Sequence, residues 1–185
     1  MGTTATMRNG VNLEELNALV ARVKADPTMG KFQFRSKSKW INRAHSQSTF
    51  DSYYGAGLNH QRATPLLMEG DEPAVLLGTD LGPNAGEAIL HGLSSCLGVT
   101  YSYTAAAMGL DISSLNFELE TDTDLRGFMD LDQNVRPGLS HIRVKVHLDC
   151  NGTPQQIKEL HAQVLKTSPV YDTLRNPVDI KITTG

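Results

Sequence analysis

From Ala85 to Gly109 the chain carries Glu87 as its only Asp, Glu, Lys or Arg. The stretch is rich in small residues, is too long for a strand, and ends at Gly109, where a C-terminal glycine stop belongs. It is read as a buried central helix around which the remaining chain must build. At 185 residues the chain suits one domain and can bury a substantial core without disulfide or metal staples.

On the N-terminal side, Leu13, Leu16, Leu19, Val20 and Val23 recur at helical spacing from Asn12 to Ala25, with Glu14 and Glu15 in the first turn. From Lys31 the pattern changes to alternation through Phe32, Phe34, Trp40, Ile41 and Phe50. Ala74 to Leu77 adds an apolar run before the turn-rich Gly78 to Asn84, so this half reads as antiparallel sheet. Beyond the central helix, Ile112 to Glu120 and Ser140 to Asp149 alternate as strands. Thr153 to Leu165 returns to helical period with Thr153 as a cap, and Val178 to Ile182 reads as a last short strand. Between the middle strands, Leu125 through Gly138 is a long, turn-rich excursion.

Composition narrows the functions. Hydrophobic residues at 39%, charged residues at 20% and a net charge of -3 are ordinary for a globular chain and leave no basic footprint for nucleic acid. No apolar run approaches the ~18 residues of a membrane span, and the N-terminus lacks the order of a signal peptide, so a cytoplasmic protein with no membrane partner is expected. Met1 to Thr6 fits a loose myristoylation pattern that chance produces often, and Asn151-Gly152-Thr153 reads more simply as a turn than as a glycosylation acceptor.

Cys96 and Cys150 lie far apart and show no zinc-type spacing, and His45, His60, His141 and His161 are scattered, so no metal or other cofactor is expected. At about 100° per residue, Ile89, Gly92, Leu93, Val99, Thr100 and Tyr103 share a helix face with Cys96. A thiol in such a stripe is ordinarily packing and inert unless a cation or helix N-terminus stabilises the thiolate, so a functional reading requires an arginine, a histidine or a backbone nest delivered from elsewhere. His91 lies about 140° round the helix from Cys96 and makes no natural Cys-His pair. Ser94 and Ser95 lack the Gly-x-Ser-x-Gly elbow of a serine nucleophile.

Several blocks in order resemble one family over most of the chain. They are Gly82-Pro83-Asn84 leading into Leu90-His91-Gly92-Leu93-Ser94-Ser95-Cys96-Leu97, then Ala105 to Leu110, Asp124 to Phe128 with Val135 to Gly138, and Ser168-Pro169-Val170-Tyr171-Asp172-Thr173-Leu174. The family comprises the OsmC/Ohr proteins, osmotically inducible protein C and the organic hydroperoxide resistance proteins. The resemblance implies an α+β fold over one domain, residues 1–185 with about 1–28 as a helical extension. It further implies antiparallel sheets that wrap central helices in an intertwined homodimer, with the sites at the subunit interface.

The implied chemistry is reduction of organic hydroperoxides at Cys96, within a substrate pocket of Leu93, Val99, Thr100, Tyr103 and Ser168. Ser168 stands where the family carries its second, resolving cysteine, so a one-cysteine cycle with an external thiol reductant is expected. The position of the family's helix-start glutamate is Gly86, with Glu87 one residue later and about 180° from Cys96. The family's activating arginine matches no motif here; Arg43 and Arg35 lie in the corresponding region, and Arg126 and Arg136 are further cations on the long excursion. The alternatives are a non-catalytic binder of an apolar small molecule, with Cys96 structural, and a redox sensor whose oxidised Cys96 alters dimer packing.

Overall fold

The computed structural model describes residues 6–185; the first five residues of the Met1 to Thr6 pattern lie outside them. The chain is α+β, with every strand pairing antiparallel. Its contacts gather into two compact units: Glu14–Ile89, and Leu90–Gly185 together with the segment that ends at Leu13.

The first of these is a sheet unit. It opens on α1 (Leu13–Ala25), where Glu14 and Glu15 in the first turn and Arg22 and Lys24 in the last complement the helix dipole. After β3 (Gln33–Phe34) and β4 (Lys37–Asn42), β5 (His45–Gly55) pairs with both of them on one edge and with β6 (Leu58–Gly70) on the other. Ala56 and Gly57 have φ of 50° and 82°, the two positive values that a two-residue hairpin needs to match strand twist. Past β6, Asp71 pins the returning loop. Its carboxylate accepts from Glu72 N at 2.8 Å, from Thr79 N at 3.0 Å and from Thr79 Oγ1 at 2.6 Å. Among the described residues of this unit no hydrophobic side chain is fully buried.

The second unit holds the core. A hairpin of β1 (Met7–Arg8) and β2 (Val11–Asn12) turns at Asn9 and Gly10, and Asn9 also accepts from Ile112 N and donates to the Leu110 carbonyl. The central helix is α2 (Ala85–Ala107), whose first residues Ala85 to Ile89 fall within the sheet unit. It ends with Leu110 N bonded to Ala105 O and Gly109 N to Ala106 O, the paired carbonyl capture that a glycine at φ 78° permits. Next, β7 (Ile112–Asp122) pairs with β8 (His141–Cys150), and α3 (Leu125–Phe128) lies in the connection between them. Thr153 and Gln156 form a capping box for α4 (Pro154–Thr167), and α5 (Pro169–Arg175) follows after a single residue, Ser168.

Leu93, Leu97, Tyr101 and Ala105 present one line of α2 to Leu110, Leu160 and Val164, and all seven are buried. The strands complete the layer with Leu115, Phe117 and Leu119 alternating against Ile142, Val144, Val146 and Leu148. Two expectations need correction. The central helix is covered on one side only, since Val99 and Tyr103 remain 54% and 48% exposed. Val178 to Ile182 forms no strand, because its alternating apolar residues meet no partner edge among the described residues, and Ile182 is 87% exposed.

Candidate functional site

Cys96 sits in the middle of α2, half-buried, beside the buried line rather than on it. Its polar neighbours arrive from the bend between α4 and α5. Ser168 closes α4 through a 2.9 Å bond from its own N–H to Val164 O and starts α5 with Pro169 in the first turn. That bend places Ser168 Oγ 3.3 Å from Cys96 Sγ, and Val170 N donates to the same sulfur at 3.4 Å. Ser168 is fully buried, and its hydroxyl has Cys96 as its partner among the described residues.

Because a backbone N–H donates to it, Sγ acts as an acceptor. The Ser168 hydroxyl can donate to a deprotonated sulfur or accept from a protonated one. Both neighbours are uncharged. The thiol is free, as is that of Cys150, which ends β8 opposite Ile112.

The other expected residues fall as follows. Leu93 belongs to the buried core. Thr100 Oγ1 donates back to the Cys96 carbonyl at 2.7 Å, and Val99 and Tyr103 face outward. Glu87 caps its own helix: its carboxylate accepts from Asn84 N at 2.8 Å while Glu87 N donates to Asn84 Oδ1 at 2.9 Å. Within the sheet unit, Arg35 forks onto Gln33 and Asn59. Arg43 turns the β4–β5 hairpin at φ 47° and accepts from Trp40 Nε1 through its carbonyl. On the long excursion, Arg126 pairs with Asp124 and Asp132, and Gly127 lies so close to the Arg136 carbonyl that a Cβ there would stand 2.5 Å from it. Arg126 therefore braces its own loop. His91 accepts the Ser95 hydroxyl or donates to it at 3.4 Å, within its own helix.

Two features escaped sequence reasoning. Val170 acts through its backbone, so no side-chain pattern marks it, although Ser-Pro after an amphipathic run marks a new helix start. The buried Tyr101 hydroxyl is hydrogen-bonded to His161 Nδ1 across 60 residues, and burial pushes the phenol up to about 12. Among the described residues, no group of three or more His, Cys, Asp or Glu is placed to hold a metal ion, and no helix is long and apolar enough to cross a membrane.

The family model of the OsmC-like proteins matches residues 78–183, more than half of the chain. The chain belongs to that family. Among solved structures, this OsmC-like chain is similar to an OsmC-like protein from Mycoplasma pneumoniae, at 18% identity and a TM-score of 0.59 over 78% of this chain and 89% of that one. It is also similar to an OsmC-like protein of unknown function from Vibrio cholerae, at 16% identity and a TM-score of 0.52 over 76% and 92% of the two chains. At such identities the likeness is one of fold. Among curated proteins, none matches. The stretch matched to the OsmC-like family contains Glu87, Cys96 and Ser168, whereas Arg35 and Arg43 precede it.

Proposed function

We propose that this OsmC-like protein reduces organic hydroperoxides through Cys96 in a one-cysteine cycle closed by an external small thiol. The observation that carries the reading is a half-buried sulfur on the core helix with two uncharged hydrogen-bond partners, Val170 N–H and the Ser168 hydroxyl, aimed at it. The Cys96 thiolate attacks the terminal peroxide oxygen and the O–O bond breaks. An alkoxide leaves and takes a proton from water, and Cys96 becomes a sulfenic acid. A small thiol then displaces water to give a mixed disulfide, and a second thiol releases Cys96 as the reduced thiol with formation of an external disulfide. The apolar side chains Val99 and Tyr103, one and two turns on, suit an alkyl or aryl peroxide better than hydrogen peroxide.

The working form is proposed to be a cytoplasmic homodimer. Support comes from what the single chain leaves open: a two-stranded β7–β8 ladder, an uncovered side of α2, and the alternating Val178, Ile180 and Ile182, all exposed and unpaired among the described residues. The outward Val99 and Tyr103 also favour a second reading, a binder of an apolar small molecule in which Cys96 only packs.

Stopped-flow mixing of the reduced protein with an alkyl hydroperoxide, with mass spectrometry of the Cys96 peptide, separates the two readings. Stoichiometric sulfenic acid at Cys96, formed faster than on free cysteine and absent from Cys96→Ser, is the expected result. Reaction no faster than free cysteine, with undiminished binding of an apolar probe by Cys96→Ser, establishes the binder instead.

A further inference from the structure

We infer that Ser168 is a positioning residue for Cys96, and that its hydroxyl decides how the oxidised state ends. The inference rests on the peroxidase reading and extends it from the sulfur to its partner.

Ser168 is a fully buried polar residue at a bend between two helices, and its hydroxyl spends its hydrogen bond on Cys96 Sγ rather than on capping α5. A serine at a helix start ordinarily turns its oxygen onto the first-turn N–H groups. Here that side-chain cap is missing, and the free N–H of Val170 points at the sulfur as well. The local sequence thus gives up an ordinary cap to direct two groups at one thiol.

Once Cys96 has become a sulfenic acid, the same two groups face the oxidised sulfur and its new oxygen. The hydroxyl can donate to that oxygen or accept from its O–H, and the amide donates. A hydroxyl cannot form a disulfide with the oxidised sulfur, so reduction of the sulfenic acid falls to a small external thiol. A sulfur atom at the Ser168 oxygen would end the cycle differently. Ser168 Oγ lies 3.3 Å from Cys96 Sγ, so a sulfur at that position is near enough to be tested as a disulfide partner. Formation of that disulfide from the sulfenic acid expels water and uses no further oxidant.

The test compares the full-length protein with Ser168→Ala and Ser168→Cys, each checked for an unchanged melting transition. Oxidation by cumene hydroperoxide is followed by stopped flow, and sulfenic acid is trapped with a cyclic dione. Peptide mapping distinguishes a link between Cys96 and the thiol introduced by Ser168→Cys from any bond to Cys150. In Ser168→Ala the oxidation rate is expected to fall about two- to tenfold, the range of one lost hydrogen bond, and sulfenic acid to pass more readily to sulfinic acid at excess peroxide. In Ser168→Cys trapping should vanish as the internal disulfide forms. Ser168→Ala indistinguishable from the parent in both rate and sulfenic acid lifetime overturns the inference, as does persistent trapping in Ser168→Cys.

Should the parent protein be inert to cumene hydroperoxide, the peroxidase reading falls by itself. Ser168 is then judged by iodoacetamide alkylation of Cys96, where a rate unchanged by Ser168→Ala overturns the positioning role and an altered rate upholds it.

Discussion

The two compact units of this chain solve the problem of holding a backbone in opposite ways. The unit around α2 buries Leu93, Leu97, Tyr101, Ala105, Leu160 and Val164 in one apolar cluster, whereas the sheet unit buries none of its hydrophobic side chains. What the sheet unit does bury is a charge, Asp71, whose carboxylate gathers loop N–H groups. The lesson is that apolar content and apolar burial are separate quantities. Phe34, Trp40 and Leu67 are as hydrophobic as the core residues, yet all three stay exposed. A sheet organised by ladder bonds and a polar loop lock can hold its register while its faces stay available for cover.

The largest effect expected from this contrast is at Leu160. It is fully buried in the core cluster that α4 shares with α2, so Leu160→Ala should cost about 2–5 kcal/mol in denaturant unfolding. Leu67→Ala on the sheet unit should cost far less in a dilute monomer. A comparable loss there would break the contrast.

The next effect is a pH dependence. The Thr79 hydroxyl, helped by backbone N–H groups, holds the Asp71 carboxyl down at about 2, although burial opposes it. A carboxyl lowered on folding adds stability above its ordinary range, and that contribution fades as pH falls from about 5 towards 2. Melting of Asp71→Asn measured over this window should show a flatter acid limb than the parent. An identical limb would remove Asp71 as the lock of its loop.

A smaller loss, about 1 kcal/mol, is expected for Thr153→Ala, which removes one half of the capping box of α4. Smallest of all is Lys145→Gln. Its 3.7 Å pair with Glu118 is exposed on the outer face of β7 and β8, so a change below about 0.5 kcal/mol is expected, shrinking further in salt.

The elements on either side of this contrast could be read from the residues more readily than the contrast itself. Periodicity located α1, α2, α4, β7 and β8 to within a few residues, because each sets its apolar residues at one regular spacing. Thr153 was legible as a cap for the same local reason. The end of the chain misled: Val178, Ile180 and Ile182 alternate as a strand does, yet alternation specifies a face and not the neighbour that completes it. The same limit made α2 look buried throughout.

At the site, Cys96 and Ser168 were both legible, through motif order. Their hydrogen bond was not, since it depends on a bend that brings residues 72 positions apart to 3.3 Å. Glu87 was legible only as the neighbour of the family's helix-start glutamate position, and its pairing with Asn84 is ordinary helix-start chemistry that the resemblance does not mark.

The buried phenol of Tyr101 gives the protein an optical gauge of its own integrity. Folding raises this group from 10.0 to about 12, so its share of stability is intact below pH 10 and drains away as the solution becomes more alkaline. In an ultraviolet titration its absorbance step should lag behind those of the more accessible tyrosines. Any injury that opens the α2 core would erase that lag, whatever it does to the thiol.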